Sequence, residues 1–231
     1  MAPPILEAVN ATKVYRAGEI ETVALDDVSI AFERGEFSAL SGPSGSGKTT
    51  LLNLLGTLDR PTSGRVYVDG QDTSAMGEGA RAALRLAKLG FVFQAYNLVP
   101  VLSAIENVEF VLLLQGVERA KRRERAMQCL VELGLGALAE KRPGEMSGGQ
   151  QQRVAVARAI ASEPAIVLAD EPTANLDSKT AEDLLDLMLR MNQDKGVTFL
   201  FSTHDPRVMA HARRIVRLVD GKIASDERRV P

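Results

Sequence analysis

Apolar and polar positions change texture along this chain, and each texture predicts a different kind of element. In the first ~40 residues, short runs rich in β-branched and aliphatic side chains predict strands at Ile5–Val9, Thr22–Leu25, Val28–Phe32 and Phe37–Leu40. Turn signals near Gly18 and at Arg34-Gly35 separate them. A further strand is expected at Arg65–Val68, between Ser63-Gly64 and Asp69-Gly70. Residues 78–89 carry a helical pattern, and Gly90–Gln94 is a short apolar run ending in a polar residue. Residues 103–135 are mostly helical in spacing, with an apolar segment at Phe110–Leu114 and a charged one at Arg119–Arg125. After Gly148 strands and helices alternate: helix 150–162, a fully apolar strand 165–169, helix 179–192, and strands 197–202 and 214–219, followed by a polar tail. This order predicts an α/β fold, a mostly parallel sheet interrupted by a helical insert at residues 95–145.

The chemistry enters at Gly42-Pro43-Ser44-Gly45-Ser46-Gly47-Lys48-Thr49, the complete phosphate-loop pattern G-x-x-x-x-G-K-[ST], followed by Thr50. Glycines let successive backbone N–H groups turn inward. A helix beginning at Lys48 would aim its positive end at the same place. The Lys48 ammonium suits β- and γ-phosphates, and the Thr49 hydroxyl suits Mg2+. The predicted strand before the loop and the helical leucines 51, 52, 54 and 55 after it supply the context the motif needs. The ligand class is a nucleoside triphosphate with Mg2+, although transporters, motors, GTPases and kinases all share this loop.

A second feature is Ala165-Ile166-Val167-Leu168-Ala169-Asp170-Glu171, an apolar run closed by two carboxylates. Unbroken apolarity reads as a strand buried on both faces, and ligands in parallel sheets lie beyond the carboxyl ends of such strands. Asp170 is thus placed to hold Mg2+, and Glu171 to act as general base on water. A third feature is Met146-Ser147-Gly148-Gly149-Gln150-Gln151-Gln152-Arg153, a second helix start prepared for an anion. One phosphate loop already serves the triphosphate, so this second cradle makes sense if it serves another subunit's nucleotide.

Composition narrows the partners. The 231 residues carry a net charge of −2 and no basic excess, which argues against nucleic acid. Cys129 is the single cysteine, so no internal disulfide can form. No run approaches ~18 apolar residues, the length of a transmembrane helix. The start, Met1-Ala2-Pro3-Pro4, lacks the basic-then-apolar pattern of a signal peptide. A soluble, cytoplasmic product is expected. The Lys121-Arg122-Arg123 segment offers a phosphate-binding patch as one reading, but its interleaving with Glu118 and Glu124 favours a solvated helix face.

Taken together, the three motifs resemble the ATP-binding cassette (ABC) family, in the family's order and over nearly the whole chain. Ser147-Gly148-Gly149-Gln150 is similar to the family signature, with Met146 where leucine is commoner. The resemblance implies one ABC domain over residues 1–231: residues 1–94 and 146–231 form the nucleotide-binding core with an antiparallel β subdomain, and about 95–145 form the helical subdomain. It implies that Tyr15 stacks on adenine and that Gln94 links Mg2+ and the γ-phosphate to a membrane partner. It also implies that Asn175-Leu176-Asp177 contacts the opposite subunit and that His204, in Ser202-Thr203-His204-Asp205, contacts the γ-phosphate. Two cassettes would face head to tail, each ATP lying between the Gly42–Thr49 loop of one and Ser147–Gln150 of the other. ATP would close the pair, hydrolysis at Glu171 would open it, and a transmembrane permease would receive the motion.

The wording of Gly90–Pro100, of Leu51–Gly56 with Leu58–Gly64, and of Leu168–Glu171 is similar to cassettes of lipoprotein-releasing, macrolide-efflux and antimicrobial-peptide-resistance systems. That implies export or extraction through a separate permease, with an extracytoplasmic adaptor as a further partner, and a location at the cytoplasmic face of the membrane. Ala174 departs from the glycine more usual there. Alternatives are a nutrient importer's cassette, a non-transport cassette acting on DNA or ribosomes, and a non-ABC phosphate-loop kinase. A repair type would place a long coiled coil in the interval of about 100 residues between loop and signature, where no heptads run. A ribosome type would carry two cassettes, and a kinase leaves the signature unexplained.

Overall fold

A computed structural model describes residues 3–18 and 20–229. In chain order its strands are β1 (Leu6–Ala17), β2 (Ile20–Phe32), β3 (Phe37–Ser41), β4 (Ser63–Val68), β5 (Gln71–Asp72), β6 (Leu89–Phe93), β7 (Ile166–Asp170), β8 (Phe199–Ser202), β9 (Arg214–Val219) and β10 (Lys222–Arg228). The helices are α1 (Lys48–Leu55), α2 (Glu78–Lys88), α3 (Ala104–Leu114), α4 (Arg119–Glu132), α5 (Gly148–Ala161), α6 (Ser178–Lys195) and α7 (Pro206–His211). One sheet is antiparallel, in the order β2-β1-β4-β5. The other runs β10-β9-β3-β8-β7-β6, and all its pairs are parallel except the β9–β10 hairpin.

The unbroken apolarity of the central strands follows from what covers them. Val167 and Ala169 of β7 point into a core with Val154 of α5 and Leu184 and Met188 of α6. Ile166 and Leu168 point the other way, into a core with Leu51 and Leu55 of α1 and Val66 of β4. Phe37, Phe199 and Phe201 join the first core and Leu40 and Leu200 the second, so β3 and β8 obey the same rule. A strand between two apolar layers has no polar face to show.

Between Gln94 and Ser147 the chain forms α3, α4 and two single 3-10 turns, Gly136–Leu138 and Pro143–Glu145. Ser103 and Glu106 cap α3 reciprocally, the serine accepting from the Glu106 amide and the glutamate from the Ser103 amide. Ile105, Val108 and Leu112 bury one side of α3 in the α5 core, while Phe110, Leu113 and Leu114 on its other side stay exposed. The basic start of α4 is a paired face: Arg122 and Arg123 meet Glu109, and Arg123 also meets Glu140.

Three sequence expectations need correction. The runs Thr22–Leu25 and Val28–Phe32 are one strand, β2; the polar Asp26-Asp27 between them is a register irregularity with Asp27 at φ 53°, not a break. The polar tail after Val219 is largely strand β10. Its Asp226 pairs with the buried Arg214 (2.7 Å), which also meets Glu36 (3.0 Å), so charge rather than apolarity fixes this edge. Finally, residues 206–211, left without an element by the pattern, form α7, started by Pro206 and capped by Asp205.

Candidate functional site

The phosphate loop sits where sequence places it, between β3 and α1. Gly42 (φ 146°) and Gly47 (φ 100°) occupy backbone conformations that side chains disfavour. A Cβ on Gly42 would lie 2.2 Å from the Leu218 carbonyl oxygen, and one on Gly47 2.6 Å from that of Ala24. Only glycine lets the loop close this tightly onto β9 and β2. Lys48 folds back over the loop and donates to the carbonyls of Gly42 (2.8 Å) and Pro43 (2.9 Å).

A cavity of about 530 Å³ opens in front of the loop. Pro43, Ser44, Gly45, Gly47, Lys48, Thr49 and Thr50 line one side, with Ala24 from β2; Gln94, Glu171 and His204 line the other. These residues come from the ends of β3, β6, β7 and β8, neighbours in one parallel sheet, which is the position Asp170 and Glu171 were expected to hold. The Thr49 hydroxyl donates to Asp170 Oδ1 at 3.2 Å. His204 Nδ1 lies 2.6 Å from Glu171 Oε1. Tyr15 stands to one side: its hydroxyl donates to Asp59 (3.1 Å) and the Lys13 ammonium lies over its ring, 4.9 Å from the centroid. Its phenol pKa is raised, burial outweighing the hydrogen bond to Thr50. Its ring is not among the lining residues.

Ser147, Gly148, Gly149, Gln150 and Asp177 do not line this cavity. Ser147 and Gln150 cap α5 with a reciprocal box. A Cβ on Gly148 would lie 2.8 Å from the Tyr96 hydroxyl, and one on Gly149 2.2 Å from the Thr180 methyl. Asp177 caps α6, accepting from the Thr180 amide (3.0 Å) and hydroxyl (2.6 Å). The signature segment and the Asn175–Asp177 loop therefore form a second group, packed together and open to solvent at Ser147 and Asp177. One chain carries both halves of the expected site but does not bring them together.

The ABC transporter family profile matches residues 25–174. This chain belongs to the ABC transporter family. Over 227 residues it is 48% identical to the lipoprotein-releasing system ATP-binding protein LolD of Anaeromyxobacter dehalogenans, covering 98% of this chain and 95% of that one. It is 49% identical over 226 residues to the macrolide export ATP-binding/permease protein MacB of Hyphomonas neptunium, covering 98% of this chain but 35% of that longer protein. The chain thus spans about a third of the length of its MacB relatives. The dimeric cassette MJ0796, solved in a post-hydrolysis state with ADP and Pi, superposes with a TM-score of 0.91 at 43% identity, over 98% of this chain and 99% of that one. The MacB and LolD relatives are named as ATP-binding proteins, and the neighbour MJ0796 holds ADP and Pi. Among the described residues no helix is long and apolar enough to cross a membrane.

Within this ABC fold, α5 ties the cavity wall to the signature. The buried Gln152 donates to the Pro172 carbonyl (2.8 Å), just past Glu171. Arg158 donates to the carbonyls of Asn97 (2.5 Å) and Tyr96 (3.0 Å), both at positive φ, and Asn175 donates to the Gln94 carbonyl (2.9 Å). The sequence reading missed Gln152 and Arg158, because a helical glutamine or arginine carries no local signal of the distant carbonyl it meets.

His211 joins α7 to α6. Its Nδ1 lies 2.9 Å from the Arg207 carbonyl and its Nε2 lies 3.3 Å from Asp186 and 3.5 Å from Glu182. Burial works to lower its pKa, but the Arg207 carbonyl, Asp186 and Glu182 outweigh it, so the folded pKa is raised above 6.5. A group raised on folding stabilises fully below its unfolded pKa and loses that contribution as pH climbs through the folded value. The melting-temperature gap between the unmodified protein and His211→Gln should therefore be widest near pH 5.5 and shrink toward pH 9. A gap constant with pH would show that the ion pairs contribute nothing.

Proposed function

We propose that this chain is the ATP-hydrolysing subunit of an export or extraction transporter of the lipoprotein-releasing or macrolide-efflux type, acting on a transmembrane permease. The observation that carries the reading is the convergence of Lys48, Thr49, Gln94, Glu171 and His204 on one cavity at the carboxyl ends of neighbouring parallel strands, with Asp170 hydrogen-bonded to Thr49 at its edge. The Gly42–Thr50 loop and its helix would cradle the phosphates, with Lys48 exchanging its two carbonyl partners for phosphate oxygens. The oxygens of Thr49 and Asp170, 3.2 Å apart, form a hard-oxygen donor pair that fits Mg2+, with Gln94 as a further oxygen donor. Bound there, Mg2+ supplies charge neutralisation for phosphoryl transfer. Glu171 would take a proton from the attacking water as that water's oxygen bonds to the γ-phosphorus and the bond to the leaving ADP oxygen breaks, and His204, 2.6 Å from Glu171, lines the same cavity. Tyr15, with Lys13 over one face of its ring, would offer the other face to adenine.

Ser147–Gln150 and Asp177 would meet the nucleotide of a second cassette in a head-to-tail pair; the dimeric cassette MJ0796 supports a pair of cassettes. An extracytoplasmic adaptor would follow from the subfamily. The permease has a suitable landing place. A groove of about 510 Å³ is lined by Leu58, Phe91, Phe93, Phe110 and Leu114 among others, with Phe110 and Leu114 exposed. Phe93 lines the groove and its neighbour Gln94 lines the nucleotide cavity, so a helix seated in one is a residue away from the other. Attachment there would hold the chain at the cytoplasmic face of the membrane.

The test uses both properties. The purified chain should release phosphate from ATP in a Mg2+-dependent way. In cells it should be recovered with membranes, and Phe110→Asp with Leu114→Asp should move most of it to the soluble fraction while purified ATPase activity stays within about twofold, since surface changes of this kind usually cost under ~0.5 kcal/mol. Membrane recovery unchanged by the double substitution would remove the groove from the proposal.

A further inference from the structure

Glu171 is held by more than the strand that precedes it. Its backbone lies at φ 46°, a conformation costly for a residue with a side chain, so the end of β7 alone does not fix where its carboxylate points. Both carboxylate oxygens are engaged. Oε1 faces His204, which is largely exposed. Oε2 accepts from the Thr203 hydroxyl at 3.1 Å.

Thr203 differs from His204 in being fully buried. Its Oγ1 accepts from the Asp205 amide at 2.9 Å. A hydroxyl whose lone pair is used this way, away from water, must send its proton elsewhere, and Glu171 Oε2 is the acceptor within reach. Asp205 is itself fastened. It accepts from the buried Thr173 hydroxyl (2.7 Å), two residues past Glu171, and from the Arg207 amide (2.9 Å) and guanidinium (2.7 Å). Burial works to raise its carboxyl, but Arg207 and Thr173 outweigh that and hold it at about 2, so Asp205 stays an acceptor throughout the working pH range. The segments after β7 and β8 are therefore joined twice, by Thr203 to Glu171 and by Thr173 to Asp205.

We infer that Thr203 is the positioning residue that aims the Glu171 carboxylate into the nucleotide cavity, and that the buried Thr173–Asp205 clasp fixes the Thr203 hydroxyl for that task. The inference rests on the reading of Glu171 as general base. Without the hydroxyl, one carboxylate oxygen loses its fixed donor and the base samples orientations in which it cannot reach water.

Thr203→Val keeps shape and burial but removes both the donor to Glu171 and the acceptor of the Asp205 amide; Thr203→Ser restores both. The valine variant should lose about 10- to 100-fold in kcat, the scale of one hydrogen bond to a charged group. Its ATP KM should stay close to the unmodified value, its melting temperature should fall by a few degrees because the buried Asp205 amide loses its acceptor, and Thr203→Ser should recover both the melting temperature and kcat, the latter to within about threefold. Thr203→Ala serves the same comparison if the valine does not fold. An unchanged kcat in the valine or alanine variant overturns the inference, as does a loss that serine fails to restore or one matched by an equal loss in ATP binding. Glu171→Gln is assayed in parallel to keep the two claims apart. Full turnover by Glu171→Gln refutes the base itself; an inactive Glu171→Gln beside a fully active Thr203→Val refutes only the positioning role.

Discussion

Glu171→Gln is expected to lower ATP turnover by roughly 10²–10⁴-fold, the usual contribution of a positioned general base, while ATP binding is retained. The amide matches the carboxylate in size and keeps an oxygen that can accept from Thr203, so packing at the end of β7 need not change. What it loses is the ability to take a proton. Because the Lys48 loop and the Thr49–Asp170 pair are untouched, the nucleotide should still bind, and the bound state should persist because it is not consumed. Phosphate release under saturating ATP measures the first effect, and equilibrium binding of ATP the second. If, in addition, ATP closes a pair of cassettes, the variant should run as a dimer in ATP and as a monomer without it. Turnover near that of the unmodified protein would mean that another group activates the water, and the role given to Glu171 would have to be withdrawn.

Sequence was most informative where the chemistry is local. The phosphate loop is a backbone structure written in consecutive residues, and Gly42 and Gly47 are legible because no other residue tolerates their dihedrals and contacts. The strand before Asp170-Glu171 is legible because burial on both faces leaves a long apolar run. What escaped depends on distant partners. Strand β10 is stabilised by Arg214–Asp226 and by its ladder with β9, so its polar sequence looks like a tail. Thr203 and Thr173 sit in unremarkable strings of small polar residues, and only the approach of the segments after β7 and β8 brings them to Glu171 and Asp205. Ser147 shows both sides at once. The sequence marks it as a helix start suited to an anion, and in the folded chain its side chain caps its own helix. The anion-facing role needs a second molecule, which no single-chain pattern specifies.

That second molecule can be tested without a structure of the pair. Lys48→Ala should abolish most ATP turnover by removing a positive charge from the phosphate loop. Ser147→Asp should do the same for a different reason. Aspartate caps a helix N-terminus about as well as serine, so α5 should keep its start. Its carboxylate, however, would face the phosphates of the opposite subunit and repel them. In a head-to-tail dimer each site takes its phosphate loop from one chain and its signature from the other. A mixed dimer of the two variants therefore holds one site with both defects and one with neither. Equal mixing makes half the dimers mixed, so if an intact site turns over by itself, activity should return to about a quarter of the unmodified level. Two inactive homodimers that regain activity only on mixing could not come from a site built within one chain. Activity that stays at zero after exchange of subunits, with mixed dimers demonstrated, would mean that Ser147 and Lys48 serve the same chain's nucleotide or that the two sites fire only together. Mixing each variant with the unmodified chain separates those cases. A same-chain site leaves half the activity in either mixture, whereas sites that must fire together leave about a quarter, contributed by the fully unmodified dimers alone.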